Sequence, residues 1–107
     1  MALNADKELV DELLNKTLEA KLQWKEDLAE ESYSTTLKGL YTVTTWRDPN
    51  FDHQVIVNRA DGAELFRFVE KANDQVTSIY SLHDAAKRNA LGLDKAKADI
   101  KKLLTDL

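Results

Sequence analysis

Residues 40–69 read LYTVTTWRDPNFDHQVIVNRADGAELFRFV, and this segment divides into strands and turns. Residues 40–47 and residues 53–59 are rich in β-branched and aromatic side chains, which favour strands. Asp48-Pro49-Asn50 separates them with three residues that are typical of turns. Asp61-Gly62 is the strongest short hairpin signal in the chain, and the residues after it return as another strand. The segment therefore predicts an antiparallel meander.

The two turns also predict how the strands pair. If Asp61 and Gly62 occupy the two central turn positions, apolar residues face apolar residues across the hairpin. The predicted pairs are Ala60 with Ala63, Arg59 with Glu64, Val57 with Phe66, and Val55 with Phe68. A five-residue loop over residues 48–52 adds the pairs Thr45 with Val55 and Val43 with Val57. A slip by one residue would destroy this match, because it moves every side chain to the other face.

The alternation of side chains along these strands separates two faces of the sheet. The face that we expect the helices to cover carries Tyr41, Val43, Thr45, Val55, Val57, Phe66 and Phe68. The opposite face carries Thr42, Thr44, Trp46, Gln54, Ile56, Asn58, Leu65 and Arg67. An antiparallel sheet can leave one face in water. Because this second face is half apolar, it is a candidate docking surface; cover by the N-terminal helix or by a loop is the alternative.

Helices are predicted on both sides of the meander. Residues 5–19 repeat apolar side chains at three- and four-residue steps, as an amphipathic helix does. A second helix is predicted over residues 75–91, with Asn73 or Asp74 as its N-cap. Its predicted core face carries Val76, Ile79, Tyr80, His83, Ala86 and Ala90. Gly92 is expected to end this helix in the left-handed conformation.

Three further elements complete the predicted order. Leu22 and Trp24 alternate with polar residues and predict a short strand, and residues 32–37 predict another. Asp94 is the predicted N-cap of a third helix, whose apolar side carries Ala96, Ile100, Leu103, Leu104 and Leu107. The sequence therefore predicts an α+β fold in a single domain over residues 1–107. We expect an N-terminal helix, four or five antiparallel strands and two C-terminal helices.

The composition excludes several classes of protein. With 43% hydrophobic residues the chain is not a disordered one, and without cysteine it has no disulfides, thiolate metal sites or cysteine nucleophiles. No run approaches the roughly 20 apolar residues of a membrane span. The first residues, Met1 to Glu8, turn acidic too early for a secretory signal. We therefore expect a cytoplasmic protein without a membrane partner.

The net charge of −4 is unevenly distributed. Residues 6–31 hold nine acidic and four basic side chains, whereas residues 83–107 hold six basic and four acidic ones. Such an asymmetry can guide self-association or the docking of a partner. Ordinary solvated helix faces are the alternative interpretation.

Little in the sequence indicates catalysis. His53 and His83 are the only histidines, and neither has a second ligand at a metal-binding spacing. A small metal-dependent hydrolase using Asp48, Asp52 and His53 is an alternative, although Asp is also an ordinary loop residue. The chain contains no GxSxG sequence and no glycine-rich phosphate loop. We therefore predict no catalytic residues, no metal site and no cofactor, and we expect that the protein is not an enzyme.

Nucleic-acid or nucleotide binding is a second alternative. It would use Lys95, Lys97, Lys101 and Lys102 of the C-terminal helix pair. The pair, joined at Leu91-Gly92-Leu93, resembles a helix-turn-helix, and an exposed Trp46 could stack on a base. The acidic net charge argues against this function, because neutralisation of phosphates supplies most of the affinity for nucleic acids.

Residues 82–94, LHDAAKRNALGLD, resemble a recurrent element of small uncharacterised bacterial α+β domains. In that family a helix that ends in an Ala-Arg-x-x-Ala-Leu-Gly run precedes a short Asp-capped helix. Lys87-Arg88 stands where the family commonly has two arginines. Residues 21–24 followed by residues 32–36 are also similar to that family. Because the family has no established activity, the resemblance implies a fold and no site residues.

Together these features predict a small protein-interaction or accessory domain, such as a regulatory or adaptor protein of a bacterium or phage. We expect a protein partner or a second copy of the chain to bind at the second sheet face. Trp46, Ile56 and Leu65 would supply apolar contacts and Arg67 a polar one, because aromatic and Arg side chains commonly anchor interfaces.

Overall fold

The chain forms a helix, a five-stranded antiparallel sheet and two further helices over the residues that the computed structural model describes, 2–70 and 78–107. Side chains are described for residues 7–70 and 79–107. The elements in chain order are α1 (Ala2–Leu18), β1 (Lys25–Glu26), β2 (Ser32–Leu37), β3 (Tyr41–Arg47), β4 (His53–Arg59), β5 (Glu64–Glu70), α2 (Ser78–Leu91) and α3 (Leu93–Thr105). The strands are neighbours in the order β1-β2-β3-β4-β5, so the predicted α+β meander is confirmed.

The pairing of β3, β4 and most of β5 is the predicted one. The confirmed pairs are Val43 with Val57, Thr45 with Val55, Val55 with Phe68, and Val57 with Phe66. This register puts β-branched and aromatic side chains opposite one another on the face that the helices cover. The same register puts Trp46 and Ile56 on the other face.

The turn between β4 and β5 differs from the predicted one. A two-residue turn centred on Asp61 and Gly62 needs a positive φ at both positions. In this described turn only Gly62 has one, at 91°, and its amide donates to the Arg59 carbonyl at 2.9 Å. The loop therefore has three residues, 60–62, in a type I turn that ends on a left-handed glycine.

The longer loop shifts the pairing next to it. Asn58, and not Arg59, lies opposite Glu64, so Leu65 becomes the extra residue of a β-bulge. Arg59 instead forms an ion pair of 3.2 Å with Asp61 in the loop. The predicted pairs that are wrong are Arg59 with Glu64 and Ala60 with Ala63.

The core lies between α1, α2 and one face of the sheet. Its buried members are Val10, Leu13, Trp24, Tyr33, Val43, Val55, Val57, Leu82 and Ala86. α2 contacts all five strands, and α1 packs mainly against α2. The helices therefore cover the middle of the sheet, while Tyr41 and Phe66 at the margin of the same face remain partly exposed.

The core face of α2 differs by one position from the prediction. Leu82, which periodicity did not single out, is fully buried, whereas Tyr80 is exposed. Ile79, Leu82, His83 and Ala86 follow the three- and four-residue steps that bring helical side chains to one side. The predicted cap at Asn73 or Asp74 and the predicted core residue Val76 lie outside the described residues.

The alternation of Trp24 with polar residues predicts a strand, and this prediction is wrong, because Trp24 lies outside the strands. β1 is the two-residue strand Lys25–Glu26, and Trp24 precedes it. The indole Nε1 donates to Thr17 Oγ1 at 2.9 Å, and the Trp24 amide donates to Asn89 Oδ1 at 2.8 Å. Trp24 thereby connects α1 and α2 at the edge of the sheet.

A single residue separates α2 from α3. Gly92 has φ 62° and ψ 35°, which confirms the predicted left-handed conformation. α3 begins at Leu93 with Gly92 in the N-cap position and has no side-chain cap, so the predicted cap at Asp94 is wrong. Asp94 instead lies in the first turn, where its charge interacts favourably with the helix dipole. The main contact of α3 is with α2.

The buried position of Leu82 leads to a stability prediction. Leu82→Ala should lower the free energy of unfolding by about 2–5 kcal/mol, because it leaves a cavity in the core. Leu28→Ala, at a fully exposed position outside the helices and strands, is the matched control and should change it by about 0.5 kcal/mol or less. Urea denaturation followed by circular dichroism measures both values. Equal losses for the two variants would contradict the assignment of the core.

Candidate functional site

Of the residues predicted for protein binding, Trp46, Ile56 and Arg67 lie on the sheet face opposite the helices. The face predicted for Leu65 is wrong, because the bulge turns Leu65 towards the helix side, where it lines a groove with Leu9 and Phe66. Ile56 pairs with Arg67 across β4 and β5, and Trp46 pairs with Gln54 across β3 and β4. Trp46 and Ile56 are half-buried, and Leu65 in the bulge is partly exposed. The structure brings Trp46, Ile56 and Arg67 to one face and leaves Leu65 on the other, and the binding of a partner stays a prediction.

Arg67 is held in place by its own neighbours. Its Nη1 donates to Gln54 Oε1 at 2.8 Å, and its Nη2 donates to Glu64 Oε1 at 2.6 Å. The Arg67 guanidinium holds the pKa of the Glu64 carboxyl below its usual range, and Glu64 raises the pKa of Arg67. The Arg67 Nε also donates to Glu64 Oε2, at 3.3 Å. All three guanidinium nitrogens of Arg67 are therefore engaged within the chain, which reduces what Arg67 can offer to a partner.

Asp48 organises a loop and shows no sign of a metal site. Its Oδ1 accepts hydrogen bonds from the backbone amides of Asn50 and Asp52, at 2.9 and 3.1 Å. Its Oδ2 accepts a hydrogen bond of 2.8 Å from Gln54 Nε2. This pattern is the ordinary way in which Asp closes a turn. Among the side chains that the structure describes, those of residues 7–70 and 79–107, no group of three or more His, Cys, Asp or Glu could hold a metal ion. The hydrolase alternative with Asp48, Asp52 and His53 therefore gains no support.

A cluster around Glu31, which the sequence did not predict, joins α2 to the ends of three strands. Glu31 accepts a hydrogen bond of 2.6 Å from Lys87 Nζ and lies 3.2 Å from His83 Nε2. Arg47 Nη2 lies 3.9 Å from the same carboxylate. The Lys87 ammonium holds the pKa of Glu31 below its usual range, and Glu31 raises the pKa of Lys87. Both groups are therefore charged and paired at neutral pH.

Two histidines and two tyrosines pack behind this ion pair. The ring of His83 lies 5.1 Å from that of His53 and 5.5 Å from that of Tyr33, and His53 lies 5.0 Å from Tyr80. Burial lowers the pKa of His83 below 6.5, and the contact with Glu31 only partly opposes this effect. Burial also lowers the pKa of His53. Both imidazoles are therefore neutral in the folded chain at neutral pH.

The Glu31 cluster has the residue types of an acid–base site, but its imidazole is buried. A cleft of about 450 Å³, bordered by Glu31, Trp46 and Phe51, reaches the carboxylate from one side. His83, however, is buried behind Glu31, and the Glu31 carboxylate already accepts a hydrogen bond from Lys87. A general base has to reach a proton of its substrate. We interpret the cluster as a polar clamp that fixes α2 to the loop before β2.

The lysines of the nucleic-acid alternative are spread around α3. At about 100° per residue, Lys97 and Lys101 lie beside the apolar side, and Lys95 and Lys102 lie opposite it. Asp94 falls between these two pairs and reduces the local positive charge. A helix-turn-helix uses a turn of about three or four residues, whereas Gly92 alone separates α2 and α3. The resemblance to that motif therefore does not extend to its geometry.

The neutral histidines lead to a pH prediction. The unfolded chain takes up protons at His53 and His83 near pH 6.5, while the folded chain takes them up only at lower pH. The free energy of unfolding is therefore greatest above about pH 6.5 and should fall between about pH 7 and pH 5. Urea denaturation at several pH values measures this slope. A His53→Gln/His83→Gln variant should flatten it, and an unchanged slope in that variant would contradict the assignment.

No helix in the described part of the chain is both long and apolar enough to cross a membrane. Comparison of the chain with known protein families, with curated proteins and with solved structures finds no match. The function therefore has to be inferred from the side chains themselves.

Proposed function

We propose that the chain is a protein-interaction domain and that α3 is its main contact element. The exposure of the apolar side of α3 is the observation that supports this most. Ile100, Leu103 and Leu104 are 55%, 65% and 63% exposed. All residues of α3 are described, and none of them is buried. Apolar side chains exposed in one contiguous patch are typical of an interaction site.

The residues of α3 have the arrangement of an amphipathic helix that packs against another protein surface. Ala96, Ile100, Leu103 and Leu104 follow the three- and four-residue steps of an amphipathic helix and form one stripe, here called the α3 stripe. Lys97 and Lys101 border the α3 stripe on one edge, and Asp99 borders it on the other. In a globular domain such a stripe faces the core. In this chain it faces solvent, which leaves it available for a partner.

The sheet face with Trp46, Ile56 and Arg67 is a weaker candidate for the main contact. Trp46 and Ile56 are half-buried by their neighbours, and the guanidinium of Arg67 is engaged by Gln54 and Glu64. Binding of a partner at this sheet face would bury less apolar surface than binding at the α3 stripe. We therefore assign this face a secondary role in the interaction.

Site-specific photocrosslinking tests this proposal. p-Benzoylphenylalanine would replace Leu104 in the α3 stripe, Lys102 on the opposite side of the same helix, or Trp46 on the sheet face. Irradiation in cells of the source organism should give protein adducts mainly at position 104. The light-activated ketone is short-lived, so it reacts only with a protein that is already in contact with it. The adducts are measured by gel shift and mass spectrometry. Equal yields at positions 104 and 102, or the highest yield at position 46, would contradict the role of α3.

A further inference from the structure

We propose that the partner of α3 is a second copy of this chain, and that the α3 stripe of each copy occupies an apolar groove of the other. The inference rests on the proposed function of α3. It adds the identity of the partner and the place where α3 docks.

The groove lies between α1 and the uncovered margin of the sheet. Its walls include Leu9 of α1, Leu37 and Tyr41 at the β2–β3 turn, and Leu65 and Phe66 of β5. Tyr41 and Phe66 are 43% and 40% exposed, although both belong to the face that the helices cover. The groove is therefore a part of the core face that α1 and α2 leave open.

The groove and the α3 stripe match in size and in chemistry. The groove has a volume of about 320 Å³, and its walls are almost wholly apolar. An engineered cavity of about 150 Å³ in a protein core stays dry and binds benzene, so the groove has room for roughly two large apolar side chains. Ile100 and Leu104 lie four residues apart on α3 and project from one side of it. Together they are of the size that the groove accepts.

The α3 of the same copy is not placed to fill this groove. Leu18 and Ala20, at the C-terminal end of α1, line a cleft together with Asp94 at the start of α3. The groove instead lies beside Leu9, in the middle of α1. α3 packs mainly on α2. The α3 stripe and the groove are therefore complementary surfaces that one copy does not join.

The charges beside the two surfaces are also complementary. Glu8 and Glu12 are exposed on the same flank of α1, next to Leu9, and Lys97 and Lys101 border the α3 stripe. Docking of α3 along α1 brings these opposite charges close together. Antiparallel pairing of two α3 helices would instead place the lysine edge of one against the lysine edge of the other, because a two-fold axis sets each edge against its own copy. The groove is thus the better receptor for α3.

Each copy carries one α3 stripe and one groove, so a reciprocal exchange uses both surfaces of both copies. Such an arrangement closes as a two-fold dimer, whereas one-way docking would continue into open chains. We therefore expect a dimer and no larger assembly.

Sedimentation equilibrium of the purified full chain tests the dimer. The stripe variant is Ile100→Gln/Leu104→Gln, the groove variant is Leu9→Gln/Phe66→Thr, and the control is Lys95→Gln/Lys102→Gln on the opposite side of α3. The wild type and the control should be dimeric at micromolar concentrations. The stripe and groove variants should dissociate about a hundredfold more readily or more, since each removes two large apolar contacts. Circular dichroism and thermal melting check that each variant is folded.

Mixing the stripe variant with the groove variant distinguishes a dimer in which each α3 occupies the groove of the other copy from a dimer in which the two α3 helices pair with each other. The groove variant keeps an intact α3 stripe and the stripe variant keeps an intact groove, so an equimolar mixture should recover dimers with one of the two contacts. If the groove variant stays dimeric while the stripe variant is monomeric, the groove is not the receptor and the proposal is overturned. Should Leu9→Gln/Phe66→Thr fail to fold, Tyr41→Thr at the exposed margin of the groove provides the same comparison.

The outcome also distinguishes this proposal from the proposed function. A wild-type chain that stays monomeric at all accessible concentrations overturns the second copy as partner. If position 104 still gives selective adducts with another protein in that case, α3 remains the contact element. If selective adducts are absent as well, both proposals fail.

Discussion

The indole of Trp24 is the point at which α1, α2 and the edge of the sheet meet. Its ring nitrogen donates to Thr17 of α1, and its amide donates to Asn89 of α2. A buried indole N–H without an acceptor would be costly, so this hydrogen bond fixes the C-terminal part of α1 beside α2. The N-terminal part of α1 then lies along the margin of the sheet. The open groove beside Leu9 follows from this placement, and with it the surface that we assign to α3.

The Glu31 cluster joins α2 to the sheet through charged side chains. Lys87 and His83 approach the carboxylate from α2, and Arg47 approaches it from the end of β3. Partly buried charges of this kind are stable only when they are paired and hydrogen-bonded. The cluster therefore contributes to the position of α2 over the sheet, and hence to the direction in which α3 leaves the domain.

The parts of the fold that could be predicted are those set by neighbouring residues in the chain. The alternation along β3 and β4 and the short loop at Asp48 were sufficient for the register of Val43, Thr45, Val55 and Val57. The bulge at Leu65 was not predictable in the same way, because it depends on which of Asp61 and Gly62 adopts a positive φ. The contact of Glu31 with His83 spans 52 residues and leaves no local pattern. Similarly, periodicity identified the apolar side of α3, but only the tertiary structure shows that nothing in the described chain covers it.

The joint at Gly92 has a consequence for which residues this position tolerates. Gly92 has a φ of 62°, a backbone conformation that residues with a Cβ adopt only at a cost. Beyond the two chain neighbours, no heavy atom lies within 4 Å of the place that a Cβ would occupy there, so the cost of a larger residue comes from the backbone and not from a clash. Because α3 buries no residue and contacts mainly α2, a backbone change at Gly92 would redirect α3 and leave the core intact. In evolutionary terms, one residue can alter the direction of α3 independently of the sheet.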